Sequence, residues 1–316
     1  MKRFLLAISF AALFASCGED SSNSERESDE QQDEEIQLVG DQTAFLQICE
    51  KTDKTESEEA MIEAILESTG SSECLDSLEK LSSVNIIWLN GYNLDDISLL
   101  TNFQNLNVLH LEDNRISDIS SLAKMPSLKI VNLTNNTVSN IDVLSDLTKL
   151  QEVNLSFNNV NTVQPLVNLP ELGWVNVEGN EIDSLEGIER LASLQELDAS
   201  SNLITELPGF SEETKLRELK ISKNSISSLA NLENVKSLKV LDASFNSITT
   251  LSELENMSVL AELNLSNNLI ESLLPIKSLF LLDDLNVTDN PISSESCPTD
   301  AETAFVVRNT CNSLEN

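Results

Sequence analysis

Histidine is nearly absent from this sequence: His110 is the only one in 316 residues. A histidine-based metal cluster or a Ser-His-Asp arrangement therefore lacks its parts. Glycines number eight and lie scattered, so no Gly-rich loop exists to cradle a phosphate. Bases are scarce as well, 19 Lys and Arg against 53 Asp and Glu, for a formal charge of −34. A surface that negative repels phosphate backbones and anionic lipid, which argues against nucleic acid as a partner. A cationic partner, or plain solubility, fits better. Carboxylate pairs such as Asp283–Asp284 are expected at this acidity by number alone, and no Asp-rich loop has EF-hand spacing. Aromatic residues make up only 4%, so Leu, Ile and Val must carry the core of a chain that is 40% hydrophobic. These absences argue against an enzyme and call for no cofactor and no metal.

The N-terminal apolar run, Phe4 to Phe14, is too short to span a bilayer. It follows Lys2 and Arg3 and has the layout of a secretory signal over residues 1–16. It closes on Phe14-Ala15-Ser16-Cys17. Small residues before a cysteine resemble the lipobox of bacterial lipoproteins, with Phe14 where Leu is usual. The resemblance implies cleavage before Cys17 and lipidation of its thiol. Residue 18 is Gly rather than the Asp that signals inner-membrane retention in enterobacterial lipoproteins, so an outer-membrane anchor is expected, with the protein on the surface or the periplasmic face. Residues 18–38 hold nine acidic residues against one Arg. Such a stretch cannot bury enough apolar surface to fold, and like charges extend it, so residues 17–40 read as a tether. Acidic residues just after the cysteine also resemble the surface-export signals of some lipoproteins.

Beyond residue 83 the chain repeats. Val84, Leu106, Leu128, Leu150, Leu172, Leu194, Leu216, Leu238, Leu260 and Leu282 stand 22 residues apart without an insertion. Beneath them runs L-x-x-L-x-L-x-x-N-x-I, as in "LNVLHLEDNRI" and "LAELNLSNNLI". An asparagine column runs through Asn114, Asn136, Asn158, Asn180, Asn202, Asn224, Asn246, Asn268 and Asn290. Residues 84–292 thus resemble the leucine-rich-repeat family, in the 22-residue class that includes the bacterial internalins. Positions three to six of each unit alternate core and outward residues, which is a short strand. The asparagine then turns the chain, its amide able to donate to and accept from turn backbone that has no ladder partner. Apolar residues at spacings of three follow, as in Ile116, Ile119 and Leu122, which suits 3₁₀ or short helical turns. Ala199 and Ala243 depart at position six, where Leu is usual. The expected fold is an α/β solenoid: about ten repeats over residues 84–296, stacked on one core. Their parallel sheet would be on the order of 45 Å long. The resemblance implies that the sheet lines the concave side of an arc and the turns its convex side.

Solenoid ends need covers. Residues 41–83 read as a helical N-terminal cap: Thr55 and Glu58 form a capping-box pattern before "EEAMIEAILEST", and Gly70 stops the helix. Thr299 and Glu302 repeat the pattern in a C-terminal cap over residues 297–316. With Cys17 assigned to lipid, four cysteines allow three pairings. Two of them would join caps that lie too far apart for a bond. Either Cys49–Cys74 and Cys297–Cys311 form, or no internal bridge does; export favours the first. About nine helical residues between Cys297 and Cys311 would span roughly 13 Å, so that pair requires the chain to fold back.

Function must then lie in the outward strand positions. The fifth column is mostly Asn and Asp, which is ordinary for the family. At the amino-terminal end, however, Ile86, Val108 and Ile130 stack on consecutive strands, with Trp88 and His110 beside them and Trp174 two repeats on. Apolar side chains clustered on a solvent-facing sheet are what a protein-binding hot spot requires. Internalin-like proteins are similar in using the concave face for partners. The competing reading is that the cap folds over Ile86 and Trp88. His110 offers a group that titrates near neutral pH. A basic cluster, Arg217, Lys220, Lys223 and Lys239, is flanked by Glu196, Asp198, Glu218 and Asp242, and cross-strand compensation accounts for it. The expectation is a monomeric, lipid-anchored module that binds a protein or a glycan on its concave face. A scaffold within the envelope, with no external ligand, is the alternative; an enzyme inhibitor is the less favoured one.

Overall fold

A computed structural model describes residues 40–314 apart from 104 and 299. The signal, Cys17 and the acidic segment to residue 39 lie outside the described residues. Ten three-residue strands form one parallel sheet in chain order. They are β1 Ile86–Trp88, β2 Val108–His110, β3 Ile130–Asn132, β4 Glu152–Asn154, β5 Trp174–Asn176, β6 Glu196–Asp198, β7 Glu218–Lys220, β8 Val240–Asp242, β9 Glu262–Asn264 and β10 Asp284–Asn286. Each strand pairs with the next without slippage, for example Ile86 with Val108 and Trp88 with His110. The pleat sends position four inward, as at Ile87, Leu109 and Val153, and positions three and five outward. Convex 3₁₀ turns such as Ser98–Asn102 and Ser120–Lys124 close the units. The result is a leucine-rich-repeat arc. Ala199 and Ala243 are fully buried where other repeats carry larger side chains. Repeat six also lacks the 3₁₀ turn, and its Pro208-Gly209 leads to a buried Phe210; nothing in the structure explains Ala243.

The asparagine column holds the turns. Asn158 is typical: its Nδ2 donates to the carbonyls of Leu155 (3.1 Å) and Ser156 (3.2 Å) in its own turn. The same amide reaches Leu133 of the preceding repeat at 2.9 Å, and its Oδ1 accepts from the Val138 amide, also of that repeat, at 2.9 Å. One side chain thus satisfies buried polar backbone on two repeats. The first repeat has no preceding repeat to serve, and there Tyr92 replaces Asn. Its hydroxyl donates to Glu67 of the cap at 2.9 Å.

The N-terminal cap has three helices, α1 Gly40–Cys49, α2 Glu56–Thr69 and α3 Cys74–Ser83. Thr55 and Glu58 complete both halves of the capping box, and Gly70 ends α2 in the left-handed region at φ 62°. Helix α1 packs against the convex turn of the first repeat, where Phe45 meets Phe103 edge-on at 6.1 Å between ring centres. The bridges Cys49–Cys74 and Cys297–Cys311 are both present, with Cα separations of 6.0 and 5.4 Å. The second closes because α4 begins only at Phe305 and ends at Leu314, while the chain before it turns back. That start corrects the capping box expected at Glu302. The Glu302 amide instead donates to Asp300 at 3.0 Å, and Thr303 Oγ1 donates to the same carboxylate at 2.9 Å, so both residues belong to a turn that precedes the helix. Thr299 lies outside the described residues.

Asn158→Asp keeps the shape but turns the donor toward three carbonyl oxygens into an acceptor. It should cost about 3 kcal/mol or more in urea unfolding. A loss under about 0.5 kcal/mol would remove the asparagine column from the account of stability.

Candidate functional site

Two outward columns line the concave face, and their first strands carry the apolar residues. Ile86 and Trp88 remain 48% and 56% exposed. The cap therefore does not cover them, because it docks on the convex turn and on Tyr92. Val108, His110 and Ile130 are partly buried against their neighbours. The structure brings Ile86, Val108 and Ile130 into one cross-strand row. Trp174 belongs to the same row but is separated from Ile130 by Glu152.

The indole of Trp88 stacks flat on the imidazole of His110, with ring centres 3.7 Å apart and planes within 2°. Beneath the stack Glu112 fixes the imidazole, with Nδ1 and Oε1 3.3 Å apart. Asn132 Nδ2 donates to the same Oε1 at 2.6 Å, and the Glu112 amide donates to Asn90 at 3.0 Å. Residues from three repeats thus hold one aromatic pair. Burial holds the imidazole below its ordinary pKa, and the Glu112 carboxylate works against that shift without reversing it. Sequence spacing placed Trp88, His110 and Asn132 in one outward column; it gave no sign of Glu112, which acts from position seven, or of the bond by which Asn132 holds it.

Farther along the row, Glu152, Trp174 and Glu196 sit side by side on β4, β5 and β6. Together with Gln151, Glu171, Gly173, Ser193 and Gln195 they line a cleft of about 490 Å³, in which Glu171 accepts from Gln151 Nε2 at 2.8 Å. Burial, and then the charge of Glu196, push the Glu152 carboxyl above its usual range. In the basic cluster beyond, Lys220 is the residue with an ion pair, to Glu218 on its own strand. Lys220 Nζ lies 2.5 Å from Glu218; burial opposes its charge, but Glu218, Asp198 and Glu196 outweigh that and raise its pKa. Burial likewise raises the Asp198 carboxyl, against the hydrogen bonds from Ser200 and the field of Lys220. Among the described residues no group of three or more His, Cys, Asp or Glu is placed to hold a metal, and no helix is long and apolar enough to cross a membrane.

Phe157 and Phe245 are exposed aromatics outside the expected set. Position eight of the repeat takes a left-handed conformation, as at Asp113, Asn135, Gly179 and Asn267, residue types that tolerate it. Phe157 and Phe245 occupy it at φ 56° and 54°, each about half exposed. A bulky side chain there is strained by on the order of 1–3 kcal/mol. The Phe157 ring lies over Gly179, where an added Cβ would come within 2.7 Å of it. The signal was present in the sequence: two Phe residues in a column otherwise made of Gly, Asp, Asn, Ser and Lys.

The single histidine gives a direct check of the stack. Because the folded state binds this proton more weakly than the unfolded chain, His110 contributes its full stability above the ordinary value of 6.5. That contribution is lost as pH falls through the folded value. An NMR titration of the imidazole should show a midpoint below 6.5, and Glu112→Gln should lower it further. A midpoint at or above the ordinary value would contradict this geometry.

No curated protein matches the sequence. A family model for leucine-rich repeats, in two copies, matches residues 104–146. Solved structures with the same architecture include an internalin, InlF, of Listeria monocytogenes, at 24% identity and a TM-score of 0.59, covering 75% of this chain and 84% of that one. Internalin C2 of the same bacterium aligns at 22% identity and 0.54, over 74% and 91% of the two chains. The leucine-rich-repeat ectodomain of the receptor kinase GASSHO1/SCHENGEN3 from Arabidopsis thaliana, in complex with CASPARIAN STRIP INTEGRITY FACTOR 2, aligns at 23% and 0.62, over 72% and 30%. At these identities the likeness is one of fold, and the fold is the leucine-rich-repeat solenoid that internalins also have.

Proposed function

We propose that the protein is a non-enzymatic recognition module whose ligand is another protein, bound on the amino-terminal half of the concave face. Cys17 carries the lipid that holds it to the outer membrane of a bacterium. The observation that carries the reading is the exposure of Ile86 and Trp88, beside Val108 and Ile130, on a concave sheet whose other outward positions are mostly polar. Large apolar groups fixed in solvent lose free energy unless a partner covers them. Trp88 is also held rigid by its stack on His110, so little side-chain entropy is lost when a partner docks. The plant receptor ectodomain of the same fold was solved with its partner, which supports a protein ligand for this arc as well.

A pull-down with the full chain, compared with a Trp88→Ala/Trp174→Ala variant, tests the face. The wild type should recover a partner that the variant recovers at least tenfold less well, since two aromatic hot-spot residues are worth well over 1.4 kcal/mol. Equal recovery removes the aromatic residues from the account. For the anchor, Cys17→Ala should move the protein from the membrane fraction to the soluble fraction. Unchanged fractionation would rule out lipidation at that residue, and protection of the wild type from protease on intact cells would place the domain on the periplasmic side.

A further inference from the structure

The second position of the central repeats carries long polar side chains, Lys129, Gln151, Gln195 and Arg217, and Gly173 interrupts that column. The interruption leaves room for the cleft beside Trp174. A Cβ on Gly173 would stand 3.1 Å from the Ser193 carbonyl oxygen and 3.7 Å from Gln195 Nε2, so a side chain there would crowd the space the cleft now leaves open. Trp174 is flanked in register by Glu152 and Glu196. Neither carboxylate has a hydrogen bond or an ion pair with another described residue. Lys220, whose field reaches Glu196, is itself held by Glu218 at 2.5 Å. The cleft therefore presents one indole between two carboxylates that have no hydrogen-bond or ion-pair partner among the described residues, about one strand spacing to either side.

That arrangement favours a planar cation. A guanidinium stacks on an indole face while the donors on its edges reach carboxylates on both sides. A neutral sugar could stack on Trp174 but would leave Glu152 and Glu196 repelling each other, and an anion would be repelled outright. We infer that the Gly173–Trp174 cleft receives an arginine side chain of the protein partner. This rests on the concave face being the binding surface, and it adds that the partner is basic at this point. The raised pKa of Glu152 agrees, because the part of it due to Glu196 would be relieved by a bound cation.

The cleft can be tested without the partner. In the full chain carrying Trp88→Phe, Trp174 is the one remaining tryptophan. Its emission should respond saturably to N-acetyl-arginine amide and not to N-acetyl-citrulline amide, its neutral isostere, at constant ionic strength. Glu152→Gln/Glu196→Gln should weaken the arginine response by roughly tenfold, with a melting temperature no lower than that of the parent. Equal responses to the two compounds, an unaltered response in the double variant, or a response confined to a neutral glycoside such as methyl glucoside would each overturn the inference. The pull-down can succeed while this titration fails, and the titration can succeed where no partner is recovered, so failure of the cleft is distinguishable from failure of the concave face as the binding surface.

Discussion

A strand of three residues cannot hold its neighbour by its ladder alone, and the asparagine at position nine supplies the missing hold. Turning the chain sharply after so short a strand leaves carbonyls buried without ladder partners, and each would cost one to a few kcal/mol unpaired. Asn136 answers Leu133 and Thr134 in its own turn and Leu111 in the turn before, and it accepts the Ile116 amide. Every such side chain therefore ties repeat to repeat, and the array is stable only as a stack. The rule also fixes the spacing. One extra residue within a unit would move its asparagine off the preceding carbonyl and its strand off register. Ten anchors at a strict 22-residue period are the sequence form of that constraint.

The two ends show what happens where the constraint lapses. Repeat one has the cap rather than a repeat before it, so its position nine is released, and Tyr92 uses it to reach the cap at Glu67. The cap is joined to the convex side by Phe45 on Phe103 and closed on itself by Cys49–Cys74. Its attachment there leaves the concave edge of β1 open. At the other end α4 packs against β10 and is tied by Cys297–Cys311. Each bridge is local, so it limits the unfolded freedom of one cap without binding the caps together.

Much of this was legible from the residues. Period, strand phase and asparagine column follow from one aligned pattern, and the Thr55–Glu58 box and Gly70 place the ends of α2 correctly. The same box at Thr299 and Glu302 misleads because a nearby competitor, Asp300, captures the amide that the box would need. Local motifs are decided by which acceptor is closest in space, and sequence distance does not fix that. The site divides in the same way. Columns are readable because the register is exact to the residue, so Ile86, Trp88 and Val108 could be grouped beforehand. What a column cannot tell is which of its side chains has a partner. Glu218 is answered within its own strand and Glu196 is not, though both stand at position three.

The spacing of the two aromatic positions bears on specificity. Trp88 and Trp174 lie on β1 and β5, four strand steps or roughly 19 Å apart along the sheet. A stack whose repeats are tied one to the next cannot alter that interval without breaking asparagine bonds, so the arc presents it as a fixed gauge. An apolar patch alone accepts many surfaces, since hydrophobic contact has no direction. A cation-selective cleft alone accepts any exposed arginine. Holding both at a set separation demands a partner with an apolar patch and a basic side chain at matching distance. In the proposed mode the discrimination would therefore come from the rigidity of the solenoid as much as from either contact, and the acidic surface around them would favour basic partners at the encounter stage.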